Sequence, residues 1–298
     1  MDLDQLRSFA AVAEQRSFSR AAAALHVTQP AISKRISALE KYFGATLFDR
    51  IGRVVLLTQA GAQLLPGVLD VLQRLHDTVV AVRNTAGEIE GLLAIAISHH
   101  IGLHRLPQVL RAFTREHPKV QLNLRFEDSE IAHGLIRAGA CELAVVTLDP
   151  LRTTALAYVP LWTDVLRFVA YREHPLSGVP VRLAELCMHA AILPGSATYT
   201  GRIIGALFAH AGLDLNVTMS TNYLETIRML AAIGLGWTAL PATMVDATLT
   251  VLNVLDATTL QRELGCVLHP DRTLSNAARA FMALIMATAD VPAAGAVD

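Results

Sequence analysis

Gln29, Ser33 and Lys34 share one side of a helix within the stretch SFSRAAAALHVTQPAISKRISAL, residues 17–39. An amide, a hydroxyl and an ammonium group so placed can hydrogen-bond base edges and phosphates in the groove of a duplex. Other residue types raise other chemistries. His99, His100 and His104 could ligate a metal, because His100 and His104 can share a helix face. No cysteine or carboxylate at ligand spacing accompanies them in the sequence. The readings that remain for them are hydrogen-bonding to an acidic ligand and plain structural use, and no metal is expected. Cys141, Cys187 and Cys266 could form a redox pair, but their apolar neighbours favour buried thiols. No phosphate-cradling GxxxxGK[ST], no HExxH and no nucleophile elbow is present, so neither an enzyme nor a cofactor is expected. The lone GxG of Gly234 and Gly236 follows a helical stretch, the wrong context for a dinucleotide.

The elements that must hold Gln29 and Lys34 can be read directly. Ser19 is a candidate N-cap for a short alanine-rich helix over 19–25, His26-Val27 make a turn, and Thr28 caps the next helix. Pro30 falls in the first turn, where its missing N–H is tolerated. Ile32, Ile36 and Leu39 give that helix its buried side. A short helix, a turn and a helix with polar N-terminal residues fit a major groove. Charge agrees with this. Between Arg16 and Arg53 seven cations (Arg16, Arg20, Lys34, Arg35, Lys41, Arg50, Arg53) face only Glu40 and Asp49. With a total of −1, this leaves the rest of the chain at −6. Local potential rather than the total governs contact with phosphate.

Residues 1–61 resemble the winged helix-turn-helix of the LysR-type transcriptional regulators. The resemblance rests on MDLDQLRSFAAVAEQRSFSRAAAALHVTQPAISKRISALE, on Leu47, Phe48, Asp49 and Arg50, on Arg53, and on Leu57, Thr58, Gln59, Ala60 and Gly61. It extends more loosely over the whole length. On this footing Gln29, Pro30 and Ser33 meet base edges or a thymine methyl, with Thr28 at the same edge, and Lys34 meets a base or a phosphate. Ser17, Arg20, Arg35, Arg50 and Arg53 mostly neutralise phosphates. A first helix over 3–14 packs through Leu3, Leu6, Phe9, Ala10, Val12 and Ala13, and Gly44 ends the reading helix. Wing strands are expected at 49–51 and 54–58 with a turn at Gly52-Arg53. Arg50 and Arg53 read either as backbone or minor-groove contacts or as solvated turn charges; the context favours contact.

From Gly61 to Arg83, Leu65, Val68, Leu72, Leu75, Val79 and Val82 recur in steps of three and four, a heptad seam. It reads as a dimerising helix, which the resemblance supports, or as a helix packed within its own chain. Pro66 is expected to bend or delay it. Beyond Gly91 short apolar strands alternate with helices, the pattern of a parallel, doubly wound sheet. Strands are expected at 92–97, 120–126, 143–147, 165–171, 190–193, 217–220, 237–240, 249–255 and 265–269. Helices are expected at 103–116, 130–138, 199–211, 223–233 and 275–289. The resemblance implies a periplasmic-binding-protein-like effector domain of two α/β lobes joined by two crossings, near 161–164 and 262–266. The domain reading is then 1–60 for the DNA-binding domain, 61–88 for the linker helix, 89–161 with 266–289 for lobe one, 162–265 for lobe two, and 290–298 for a flexible tail.

Ligands of open α/β sheets sit beyond the carboxyl ends of strands, near helix N-termini. That rule selects Ser98, His99, His100, Asp128, Thr147, Ser196, Thr198 and Asn222, though the hydroxyls equally suit ordinary N-caps. No apolar run reaches the roughly 18 residues that span a membrane, no secretory signal is recognisable, and three scattered cysteines fit a reducing cytoplasm. The expectation is a cytoplasmic regulator that binds an interrupted palindrome in double-stranded DNA. It works as a homo-oligomer, a dimer of dimers by the resemblance, contacts RNA polymerase and responds to a small, anionic effector. The competing reading is a solute-binding or transport-associated module with no DNA role.

Overall fold

The computed structural model describes residues 1–51, 54–85 and 87–289. The chain divides into two units with the division at Gly87, and each is described by itself.

The first unit opens with α1 (Leu3–Gln15), whose N-terminus is closed by a reciprocal capping box between Asp2 and Gln5. Helix α2 (Phe18–Ala24) begins one residue earlier than expected. Ser17 rather than Ser19 is its N-cap, and its hydroxyl accepts from the Arg20 N–H at 3.3 Å. His26 takes a positive φ of 54° in the turn, and α3 (Gln29–Phe43) ends at Gly44, whose φ of 66° suits a residue without Cβ. Phe9, Val12, Phe18, Ala21, Ile32, Ile36, Leu39 and Phe48 form one core under these helices. Leu3, expected on the packing side, is exposed.

Strands β1 (Phe48–Ile51) and β2 (Val54–Leu57) pair antiparallel as the wing; the expected turn at Gly52-Arg53 lies outside the described residues. Helix α4 (Gln59–Asn84) then runs past Pro66 without a break. Pro66 does not delay it, because the helix has already started at Gln59. Thr58 closes its start, accepting from the Gly61 N–H at 3.0 Å and donating to the Thr46 carbonyl at 2.7 Å. A Cβ on Gly61 would lie 2.2 Å from the Leu47 carbonyl oxygen, so only glycine lets α4 seat against the wing. The seam along α4 is not uniform. Val68 is 2% exposed and belongs to the core of this unit, with Leu65 and Leu72 packed beside it. Val79 and Val82, at 42% and 66%, are exposed. The expected dimerising stripe is therefore intramolecular over its first half.

The second unit begins with β3 (Gly91–Ile97), α5 (His99–His104), α6 (Pro107–Glu116), β4 (Val120–Phe126), α7 (Ser129–Arg137) and β5 (Leu143–Thr147). It continues with β6 (Ala157–Tyr171), β7 (Pro180–Val181), α8 (Leu183–Cys187), β8 (Ala191–Leu193), α9 (Tyr199–His210), β9 (Val217–Ser220) and α10 (Leu224–Ala232). The remainder is β10 (Thr238–Pro241), β11 (Leu249–Val251), β12 (Asn253–Val254), β13 (Leu260–Leu268) and α11 (Asn276–Met286). The helix expected over 103–116 is two helices, because Pro107 starts a new one rather than extending α5. Helix α8 was not anticipated. The tail expected over 290–298 lies outside the described residues.

One sheet runs β10-β6-β13-β5-β3-β4, with β11 also on β6. It is mixed rather than parallel: β3 pairs parallel with β4 and β5, while β13 runs antiparallel to both β5 and β6. Two lobes result. Leu93, Ile95, Phe113, Trp162 and Phe281 centre the core of lobe one, and Phe168, Leu193, Phe208 and Trp237 that of lobe two. The crossings are not strand ends. Strands β6 and β13 pass through both lobes, paired along nine residues of β13. A bulge interrupts the pairing where the register moves from Leu264 opposite Trp162 to Gly265 opposite Pro160, which lets both strands run on past a proline and a glycine. A Cβ on Gly265 would lie 2.1 Å from the Val159 carbonyl oxygen, so this strand contact also requires glycine.

Candidate functional site

Helix α3 buries Ile32, Ile36 and Leu39 and leaves Gln29, Pro30 and Lys34 exposed. Thr28 has the extended backbone of an N-cap, but its hydroxyl makes no cap bond, so that hydroxyl is not spent on the helix. The Gln29 Nε2 donates to the Ser33 hydroxyl at 3.0 Å, which fixes the amide along the helix edge. Other expected phosphate contacts are engaged within the unit. The Arg35 guanidinium donates to Asp4 Oδ2 at 2.7 Å and to Ser8, so its charge is matched on α1 instead of being offered to a backbone. The Arg20 guanidinium donates to the Gln15 carbonyl, and the Ser17 hydroxyl is occupied as a cap. Arg50 stands in β1 in register with Val55, and Arg53 lies outside the described residues.

The second unit holds a cleft of about 480 Å³, counting the space open to solvent. The carboxyl ends of β3, β4 and β5, with the starts of α5 and α7, supply Ser98, His99, His100, Asp128, Ser129 and Thr147 from lobe one. Thr198, Tyr199, Thr200 and Asn222 face them from lobe two. Seven of the eight expected ligand-contact residues line it. Ser196 does not. The Thr198 N–H donates back to the Gly195 carbonyl at 2.9 Å, and this tight turn leaves Ser196 exposed. Thr198 is the N-cap of α9 and accepts from the Gly201 N–H at 3.0 Å.

Hydrogen bonds connect the two walls. The Asn222 side-chain amide donates to Asp128 Oδ2 at 2.6 Å, and the Tyr199 N–H donates to Glu130. Burial and the nearby Asp149 and Glu130 charges push the Tyr199 phenol up to about 12, so it stays a neutral donor. Arg262, 5% exposed, also lines the cleft and donates to the Thr200 hydroxyl at 3.0 Å and to Asp164 Oδ2 at 2.9 Å. Asp164 also receives Arg105 at 3.2 Å. Burial alone would raise the Asp164 pKa. The hydrogen bond from His100 and the charge of Arg262 outweigh it and hold the carboxyl well below the usual carboxylate range. Two guanidinium groups share Asp164, and the Glu225 carboxylate lies near His100 on the same side, so the charges there are nearly matched while Arg262 still presents guanidinium N–H groups to the cleft. The Glu127, Asp128 and Glu130 carboxylates make its rim acidic.

Arg262, Glu130 and Tyr199 were not expected here. The signal for Arg262 was present in the alternation of β13, where Leu260, Arg262 and Leu264 share the buried face. The three cysteines are free. Burial pushes all three thiols up, Cys266 to about 12, which fits core thiols rather than a reactive pair. Among the described residues no helix is long and apolar enough to cross a membrane.

A winged helix-turn-helix and a two-lobed α/β unit with a polar cleft in one chain define a ligand-responsive DNA-binding regulator. The family description "Bacterial regulatory helix-turn-helix protein, lysR family" matches residues 3–62, and "LysR substrate binding domain" matches residues 86–290. The chain therefore belongs to the LysR family of transcriptional regulators, with a DNA-binding helix-turn-helix and an effector-binding domain. Over 107 residues, 36% of this chain and 74% of the relative, it is 56% identical to an HTH-type transcriptional regulator in the ibpB-leuC intergenic region of Azotobacter vinelandii. It is 29% identical over 289 residues, 94% of this chain and 89% of the relative, to a probable RuBisCO transcriptional regulator of Cyanophora paradoxa. In fold it is similar to full-length CbnR solved with its target DNA, with a TM-score of 0.64 and 23% identity over 97% of this chain and 100% of that one. The members of this family are transcriptional regulators, which are not enzymes.

Proposed function

We propose that the chain reads an interrupted palindrome in double-stranded DNA through Gln29, Pro30, Ser33 and Lys34. Thr28 and the wing arginines Arg50 and Arg53 contribute phosphate contacts in this reading. The exposed half of α4, with Val79 and Val82, pairs copies, and a dimer of dimers presents the reading helices to the half-sites. A small effector in the cleft shifts the subunit arrangement and with it recruitment of RNA polymerase. The protein does this in the cytoplasm, without catalysing a reaction. As in a periplasmic binding protein, the effector lies between two lobes.

The observation that carries the effector reading is the meeting of Arg262 with Ser98, Thr198 and Asn222 in one cleft walled by both lobes. A carboxylate suits the Arg262 guanidinium, where helix N-termini add N–H groups. The acidic rim argues against a plain anion. It favours a ligand that also carries hydroxyl or ammonium donors, which Asp128, Glu127 and Glu130 can accept. A hydroxy acid or an amino acid has that pattern.

The test is a thermal-shift screen of the full-length chain against small hydroxy acids, amino acids and their neutral analogues. A ligand at about a hundred times its Kd stabilises by about 2.7 kcal/mol, and Ser98→Ala and Asn222→Ala should each reduce that shift. A screen in which neutral analogues stabilise as well as the acids would remove the assignment of Arg262 as the anion partner.

A further inference from the structure

Beside the cleft, the two lobes bring together three groups that the sequence keeps far apart. His100 and His104 stand one turn apart on α5, and their rings lie 4.9 Å apart between centroids. Glu225, in the first turn of α10 on the other lobe, reaches both. Its Oε1 lies 2.9 Å from His104 Nε2 and 3.7 Å from His100 Nδ1. One donor atom from each of the three residues falls within 4.8 Å of the other two. The carboxylate absent from the neighbouring sequence thus comes from 121 residues away.

A second, separate observation concerns His100. The residue is 6% exposed, and its Nδ1 has no hydrogen-bond partner among the described residues. A buried imidazole nitrogen left unpaired is costly. The other nitrogen, Nε2, lies 3.5 Å from Asp164 Oδ2, and Asp164 is fixed by Arg262 and Arg105. A carboxylate behind one ring nitrogen while the other turns toward further ligands is the outer-shell arrangement of a metal-binding histidine.

We infer that His100 Nδ1, His104 Nε2 and the Glu225 carboxylate bind a divalent transition-metal ion, zinc by preference. Donors placed 2.0–2.1 Å from a tetrahedral ion are about 3.3 Å apart, and the observed 2.9 and 3.7 Å lie on either side of that value. Two imidazoles and one carboxylate suit zinc and its neighbours better than calcium or magnesium, which prefer all-oxygen shells. Three protein ligands leave a fourth position open. His100 also lines the ligand cleft, so a carboxylate-bearing effector could complete the shell. The ion would tie α5 of lobe one to α10 of lobe two and set the closure against which an effector works.

The experiment is titration of the untagged, chelator-stripped full-length protein with cobalt(II) alone at neutral pH, followed by displacement with zinc(II). The expected result is saturable binding of a single ion with visible absorption of a four-coordinate centre, lost on addition of zinc. His104→Ala and Glu225→Gln should each weaken binding by at least about tenfold, the lower end of the loss that removal of an outer-shell partner causes. Both side chains are partly exposed, so the variants should keep the wild-type far-ultraviolet dichroism. Absence of saturable binding by the wild-type protein, or binding that neither substitution alters, would overturn the site. Either result leaves the effector reading standing, because that rests on ligand shifts measured without metal.

Discussion

The guanidinium of Arg262 and the carboxylate of Asp164 meet at 2.9 Å, directly opposite one another in the register of β13 and β6. Both are almost wholly buried, at the level where the paired strands pass from one lobe to the other. Each charge makes the other tolerable, and Thr200, Arg105 and His100 complete the cluster.

Asp164→Asn should therefore destabilise the protein by about 3–5 kcal/mol, because it leaves Arg262 buried without its partner. The pH dependence has a defined sign. The folded-state pKa of Asp164 lies below the unfolded value of 3.8, so its contribution is fully present above that value and is lost as pH falls below it. Urea denaturation of the wild type between neutral pH and the acid limb should show that loss, and Asp164→Asn should flatten it. An unchanged slope in the variant would contradict the assignment.

Gln29→Ala should cost about 1–3 kcal/mol of discrimination at one base position, whereas Lys34→Ala should weaken binding to all duplexes and reduce the salt slope by about one. Fluorescence anisotropy at several salt concentrations, with a duplex selected by the full-length protein from a random pool, separates the two effects. Since α3 buries neither side chain, the melting temperature should not move. Equal affinity of both variants and the wild type would remove α3 as the reading helix.

Along α4 the two halves of the seam should respond differently. Val68→Ala should lower stability, as truncation of a buried aliphatic side chain does, by roughly 1–3 kcal/mol. Val79→Glu combined with Val82→Glu should leave stability within about 0.5 kcal/mol, as surface changes do, and shift light-scattering mass toward the single chain. A variant of the exposed pair that still assembles fully would place the pairing surface elsewhere.

Gly265→Ala should be among the more harmful single-methyl additions in the chain. The new Cβ would meet the Val159 carbonyl oxygen, which is backbone and cannot rotate away. Overpacking of this kind costs about 1–3 kcal/mol. Gly134→Ala, where a Cβ meets nothing within 4 Å, is the matched control, and the two should differ clearly in thermal melting.

Much of this architecture was legible from local pattern. The apolar triplet Ile32, Ile36 and Leu39 orients α3, and β4, β5 and β9 fall where their apolar runs predicted, because such signals sit within a few residues of one another. What was missed is long-range. Nothing near Arg35 indicates that Asp4, 31 residues earlier, takes its charge. Nothing near His104 indicates Glu225, and Asp164 and Arg262 are 98 residues apart. Ser196 misled because a hydroxyl in a loop before a helix was weighed without the turn that directs it outward. The strands expected to start at 165 and 265 begin earlier, at Ala157 and Leu260, because a bulge carries the pairing through Pro160 and Gly265.

That bulge bears on how a signal leaves the cleft. Two slack linkers would let the lobes swing freely. A hydrogen-bonded ribbon passing through both of them can twist and flex, but it opens widely only by unzipping. The response to a ligand must then be a small elastic torsion, amplified by whatever the second unit is fastened to in the assembly. Paired distance labels on the two lobes should report a change of a few ångströms, and a domain-scale swing would contradict it.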